Sequence, residues 1–272
     1  MKHLHWNLPA AGPLSCRLAT VRYDVRDVRL AAPVRLAVIA DLHGAQYGDG
    51  QAELLEALAA LAPQLVLLPG DLVDDVLPEA PAWTLLERLG AAYPSFYVTG
   101  NHEVHTGRLE AIKRDVAACG VAVLDGDAIT VRCGRQRLAL CGVDDPIAFP
   151  RPRGKTDLWR EQLLHGRATA APGAFTILLT HRPERVSAYR AAGFDLVLAG
   201  HAHGGQVRIP GLFNGLYAPN QGIFPAYAGG LYDLGGGTRM VVSRGLSQRI
   251  LPRVWNRPEP VSYTHLRAHE TK

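Results

Sequence analysis

Five short apolar runs in this sequence each stop abruptly at a polar residue able to bind a metal, and no other feature restricts the fold so strongly. They are Val34 to Ala40 before Asp41, Leu65 to Pro69 before Gly70-Asp71, Phe96 to Thr99 before Gly100-Asn101, Phe175 to Thr180 before His181, and Leu196 to Ala199 before Gly200-His201. Each has the length of a strand without polar alternation, which is how a strand covered on both faces reads. Between them, Leu54, Leu55, Leu58 and Leu61, then Leu85, Leu86 and Leu89, then Leu109, Ile112 and Val116 fall on single helical faces. Strand and helix alternate, which predicts an α/β fold. From Val121 to Gly142, short β runs broken by Asp125-Gly126 and Gly134-Arg135 predict a meander, and Gly230 to Ser243 is a second β-rich stretch. Two mixed β-sheets packed face to face, with helices on the outside, accommodate both halves.

At 272 residues, 47% hydrophobic and 20% charged, the chain suits one large globular domain, expected over residues 1–260. No run approaches the roughly 18 apolar residues of a membrane span. Met1 to Ser15 holds Asn7, two prolines and no continuous apolar stretch, so it lacks the middle region of a secretory signal, and a cytoplasmic location is expected. Cys16, Cys119, Cys133 and Cys141 form no C-x-x-C pair, which argues against a disulfide framework or zinc knuckle. The net charge of +4 is spread along the chain. It gives a weak pull towards phosphate esters or lipid headgroups, including peripheral contact at the inner membrane face, and no basic block indicates dedicated nucleic-acid binding. Val261 to Thr271 reads VSYTHLRAHET, which resembles a translated transposase-end adapter from sequencing libraries. Residues 261–272 are therefore read as non-native, which removes His265 and His269 from the candidate ligands.

In open α/β sheets the carboxyl ends of the strands line the ligand crevice, so these strand ends bring Asp41, His43, Asp71, Asn101, His181, His201 and His203 together. Oxygen and imidazole donors without thiolate suit Mn, Fe or Zn better than Ca or Mg. Seven ligands exceed what one tetrahedral zinc with an open position takes, whereas two ions sharing a carboxylate fit. His201 and His203, alternate residues of an expected extended segment, would each reach their own ion, with Gly200 and Gly204 permitting the tight backbone.

Asp41-Leu42-His43, Gly70-Asp71-Leu72-Val73-Asp74, Gly100-Asn101-His102-Glu103, Thr180-His181 and Gly200-His201-Ala202-His203 resemble, in order, the five motifs of the calcineurin-like metallophosphoesterases. Gly204-Gly205-Gln206 and Ala218-Pro219-Asn220-Gln221-Gly222 further resemble the bacterial YaeI/YkuE-type branch. The resemblance implies a four-layer α/β/β/α sandwich. It also implies one ion on Asp41, His43, Asp71 and His203 and a second on Asp71, Asn101, His181 and His201, with Asp71 as the bridge. Two ions about 3.5–4 Å apart would clamp a phosphoryl group and generate hydroxide near neutral pH. His102 would protonate the leaving group, and Asp74 would orient His102.

The expected activity is hydrolysis of a phosphodiester or pyrophosphate in a small-molecule or lipid-linked substrate. A phosphomonoesterase and a non-catalytic scaffold on the same fold are the alternatives. His102-Glu103-Val104-His105 is one residue short of H-E-x-x-H, so its histidines are not expected to share a helical face, and the zincin protease is discarded. His105 and Glu103 are read as local structure, and Arg151, Arg153 and Lys155 as a solvated loop in preference to a phosphate-gripping lid, with His165 and Arg182 read the same way although Arg182 adjoins a candidate ligand. Tyr217, Phe224, Tyr227 and Tyr232 are divided between a core role and the mouth of the site.

Overall fold

The structure, a computed structural model, describes residues 14, 17–30, 32–151, 156–248, 253–259 and 261–267, the last stretch as backbone. Cys16, Arg153, Lys155 and His269 lie outside it. All five apolar runs form strands: β2 (Val34–Val38), β3 (Leu65–Pro69), β4 (Ser95–Val98), β8 (Phe175–Leu179) and β9 (Leu196–Ala199). The others are β1 (Thr20–Arg26), β5 (Ala122–Val123), β6 (Ala128–Cys133), β7 (Gln136–Gly142), β10 (Tyr217–Ala218), β11 (Gly222–Ile223), β12 (Gly230–Gly235), β13 (Thr238–Val242) and β14 (Val261–Arg267). One sheet runs β1-β14-β2-β3-β4-β5, a second runs β12-β13-β9-β8-β7-β6, and β10-β11 is a separate hairpin. Strands β2 to β5 are mutually parallel, as are β7, β8, β9 and β13.

Alternation along each strand decides the layers. Leu36, Val38, Leu67 and Val98 of the first sheet meet Leu140, Ile177, Leu179, Leu198 and Val241 of the second, an apolar layer shared by the two sheets. The intervening residues Ala37, Val66, Leu68 and Tyr97 face the other way. They pack on α1 (Ala52–Leu61), α2 (Ala80–Ala92) and, beyond the short α3 (Asn101–His105), on α4 (Leu109–Ala118). In the second sheet Ala139, Cys141, Leu178, Val197 and Met240 pack on Trp159 and Leu163 of α5 (Leu158–Thr169) and Tyr189 of α6 (Val186–Ala192). The architecture is the expected one, two sheets face to face with helices outside.

One segment differs from expectation, and another, read as non-native, takes a place in the fold. The expected meander ends in β7, which is antiparallel to β6 but parallel to β8, so its carboxyl end joins the others and delivers Asp144 and Asp145. The stretch set apart as adapter-derived supplies the backbone of β14, parallel to β1 and antiparallel to β2. Ladder hydrogen bonds use backbone groups alone, and a segment with Val261, Tyr263 and Thr264 has the residue types strands favour. Among the described residues no helix is long and apolar enough to cross a membrane.

Candidate metal centre

The seven predicted ligands converge where the carboxyl ends of the two sheets meet, all of them buried. Asp41, His43 and His203 form one group, and Asp71, His181 and His201 another. Five of the seven take left-handed backbone: Asp41 (φ 52°), His43 (φ 46°), Asp71 (φ 53°), His201 (φ 68°) and His203 (φ 47°). Asp and His tolerate this region better than most residues, but strain of this kind concentrates at functional sites. It turns the chain sharply as it leaves each strand, so consecutive side chains face inward. Gly100 permits a close approach: a Cβ there would lie 2.2 Å from Asp71 Oδ1. A Cβ on Gly204, at φ +63°, would meet Asn256 Oδ1 at 2.0 Å.

Hydrogen bonds outside the cluster set which imidazole nitrogen faces inward. His43 Nδ1 donates to Asp74 Oδ2 (2.7 Å), leaving Nε2 inward, 3.5 Å from Asp71 Oδ2. His181 Nδ1 donates to the Pro69 carbonyl (2.8 Å), leaving Nε2 3.0 Å from the same Asp71 oxygen. His201 Nε2 donates to Asn220 Oδ1 (2.8 Å), which leaves Nδ1 3.0 Å from His181 Nε2. The other oxygen of Asp71 accepts from His102 N (2.9 Å), and Asp41 Oδ1 accepts from His201 N (2.8 Å).

Asp41 Oδ2, His43 Nε2, Asn101 Oδ1 and His203 Nδ1 are buried and have no hydrogen-bond partner among the described residues. An unsatisfied buried polar group costs about 1–3 kcal/mol, and four in one cluster are what a cation would satisfy. The residues therefore fit two metal ions. Burial, reinforced by His181 beside His201 and by His43 beside His203, holds both imidazoles well below their usual pKa, in the neutral form that ligates. Burial alone would raise the Asp71 carboxyl, but His181 overrides it and keeps Asp71 well below the carboxylate range.

Asp74 requires a correction. Its nearer partner is His43, and its Oδ2 lies 3.4 Å from His102 Nδ1, whereas Asp75 Oδ1 lies 2.6 Å from that nitrogen. Asp74 Oδ1 accepts from Val76 N and Leu77 N, both 2.8 Å away, and this turn aims Oδ2 at His43. Burial works against its charge, but the His43 bond and the two amides hold the Asp74 carboxyl far below normal. A second correction concerns His201 to His203, which is a turn rather than an extended segment: Ala202 is helical between two left-handed histidines. A third concerns His102 and His105. Residues three apart on a helix are neighbours, and on α3 their rings lie 5.8 Å apart.

Sequence reasoning missed several groups. Arg182, expected to be solvated, is buried, with its guanidinium on Asp145 (2.5 and 3.0 Å) and on Asn220, the acceptor for His201. Asp145 comes from the missed end of β7, although Asn220 was within a recognised motif. Glu103 is local structure, as expected, but of a demanding kind: Oε2 accepts from Gly100 N (2.8 Å) and Asp71 N (3.0 Å), and Oε1 from Leu72 N (2.7 Å) and Val73 N (3.0 Å). It binds the Asp71 loop to the Asn101 loop. The four aromatic residues divide: Tyr227 and Tyr232 pack against the second sheet, and Tyr217 and Phe224 are exposed.

The profile of the calcineurin-like phosphoesterases matches residues 34–205. The phosphodiesterase YaeI of Escherichia coli (strain K12) is 30% identical over 188 residues, 66% of this chain and 64% of YaeI. An uncharacterized metallophosphoesterase of Helicobacter pylori (strain J99) is 28% identical over 242 residues, 88% of this chain and 61% of that protein. The chain thus spans about six-tenths of the length of such curated relatives. The crystal structure of TT1561 of Thermus thermophilus superposes with a TM-score of 0.52 at 14% identity, covering 79% of this chain and 90% of that one, a likeness of fold.

Proposed function

The chain belongs to the calcineurin-like phosphoesterase family, and from that premise we propose that it hydrolyses a phosphodiester or pyrophosphate bond with two metal ions. Asp41, His43, Asp71 and His203 would hold one ion, and Asp71, Asn101, His181 and His201 the other. The observation that carries the reading is the set of four unpartnered buried ligand atoms around Asp71, whose Oδ2 faces His43 of one group and His181 of the other. Mn, Fe and Zn suit this donor set. When bound, two such ions polarise a phosphoryl group and bring the pKa of a water between them towards about 7.

The chain's own residues supply the rest. His102 abuts His43, ring centroids 4.5 Å apart, with its side chain 27% exposed, so it sits at the mouth rather than in the wall. It would give its proton to the leaving oxygen, and Asp75, bonded to Nδ1, fixes the ring. Arg182 holds Asn220 and also lies against His201 itself, its Nη1 2.8 Å from Nε2. Because Asp145 already neutralises that guanidinium, it is not available to cap the extra charge of a monoester, which favours a diester or pyrophosphate.

The substrate reading extends to an amphiphile. Val76 (81% exposed), Ile147 (42%), Tyr217 and Ile223 (70%) lie on segments that each also send a polar residue inward: Asp74 to His43, Asp145 to Arg182, and Asn220 to His201. Exposed apolar side chains on the segments that build a polar centre suit a lipid-linked phosphoester and peripheral membrane contact better than a free sugar phosphate. Mn²⁺-loaded protein assayed on bis-p-nitrophenyl phosphate, p-nitrophenyl phosphate, a soluble nucleotide sugar and an acylated diester in vesicles tests both points. Faster turnover of the monoester would overturn the diester preference, and preference for the soluble substrates would overturn the amphiphile. No turnover at all with two metals bound would leave a scaffold.

A further inference from the structure

The H-E-x-H sequence that falls short of a zincin leaves His105 with no part in the chemistry above, yet the structure places it beside two other metal-competent groups. We propose that Asp75, His102 and His105 form a third cation site, separate from the two-metal centre, at which Zn²⁺ inhibits the enzyme by engaging His102.

One ligand atom from each of the three residues lies within 4.8 Å of the others. Asp75 Oδ1 is already 2.6 Å from His102 Nδ1. The three include none of the seven candidate ligands, although His102 also groups with His43 and Asp74. All three are at least partly solvent-accessible, so an ion could enter and leave without opening the core. Among the described residues, the His105 imidazole makes no hydrogen bond, so its nitrogens are free to ligate. The anionic Asp74, with Oδ2 3.4 Å from His102 Nδ1, adds a second negative charge next to the site. Two imidazoles and one carboxylate with the remaining positions left to water are a set that Zn²⁺ adopts readily, and that Mg²⁺ or Ca²⁺ does not favour.

The inhibitory direction rests on the reading of His102 as the proton donor, because an imidazole that engages a cation cannot also serve the leaving group. The metal site itself does not depend on that reading. The helix supplies the reach: His102 and His105, three residues apart, present their rings on the same side of α3, and Asp75 approaches from the loop that also carries Asp74.

The test uses the full chain loaded with two equivalents of Mn²⁺ and titrated with Zn²⁺. Equilibrium dialysis with elemental analysis follows both metals, and hydrolysis of bis-p-nitrophenyl phosphate is assayed in parallel. We expect a third equivalent, held as zinc with both Mn²⁺ retained, and a fall in rate that tracks its occupancy. His105→Ala should keep two Mn²⁺ and the uninhibited rate, while zinc affinity and the inhibition midpoint both weaken by about 10-fold or more, the range expected when a metal site loses a supporting group. The proposal is overturned if the chain binds no third equivalent, if His105→Ala leaves zinc affinity unchanged, or if inhibition comes from equal Mn²⁺ loss in both proteins. If the third equivalent binds through His105 but no diester is turned over, the site stands and the diesterase reading falls. If zinc binds there without slowing an active enzyme, the inhibitory role is overturned.

Discussion

Glu103→Gln is the substitution whose effect can be worked most directly from the structure. The Glu103 side chain is fully buried, and its two oxygens face four backbone N–H donors on two loops. Burial, followed by the nearby Asp71 charge, pushes this carboxyl upward, but four donors around two oxygens require the anion. A glutamine keeps one oxygen and turns an NH₂ group towards two N–H groups that then have no acceptor. At about 1–3 kcal/mol for each orphaned donor, the cost is about 2–6 kcal/mol. For a domain of this size, with a Tm change of about 2–4 °C per kcal/mol, melting should fall by roughly 4–24 °C. The comparison is best made on metal-free protein by calorimetry, so that lost metal stabilisation does not inflate the result. The loops carry Asp71 and Asn101, so metal affinity should weaken as well. A metal-free Tm within about 2 °C of the parent would refute the reasoning, because it would mean that two unsatisfied amides cost less than about 1 kcal/mol together.

His102→Asn should retain both metals by elemental analysis and lose about 10²-fold or more in kcat, and full activity would remove His102 from the chemistry. Asp74→Asn should weaken metal binding by about 10–100-fold through His43, whereas Asp75→Asn should lower kcat at unchanged metal content. The reverse pattern would restore Asp74 as the partner of His102. In the metal-free protein burial disfavours the His181 cation, but Asp71 more than compensates and raises its pKa from the ordinary 6.5 to about 10. The stability this pair supplies is therefore complete below about pH 6.5 and lost as pH rises towards 10, so the metal-free Tm should fall across that window. Metal binding at neutral pH must displace that proton, and calorimetry in buffers of different ionisation enthalpy should show its release.

The strands and the convergence of the seven candidate ligands were legible because both signals are local: an apolar run of strand length, and an abrupt polar residue at its end. The end of β7 was not, because the Gly134-Arg135 turn made Gln136 to Gly142 look like one limb of a hairpin, and its parallel pairing with Phe175–Leu179 is a long-range fact. The bonds from Arg182 to Asp145 and Asn220 join positions about 40 residues apart with no pattern linking them. Whether Asp74 or Asp75 serves His102 is decided by one turn, in which Asp74 is committed to the amides of Val76 and Leu77. Neighbouring carboxylates are indistinguishable until the backbone between them is known. The extended reading of His201 to His203 failed for a related reason, since left-handed histidines leave no mark in a sequence.

Those left-handed ligands have a consequence for how such a protein can change. Each non-glycine residue held in that region costs on the order of 1–3 kcal/mol, and five of the seven ligands carry the burden. A lineage released from selection for hydrolysis could replace a ligand such as His203, whose buried Nδ1 has no partner among the described residues, with glycine, relax the turn and shed a buried polar side chain in the same step. Drift from enzyme to inert fold is in that sense downhill. The same substitutions offer a protein engineer a sturdier frame, obtained by surrendering the reaction.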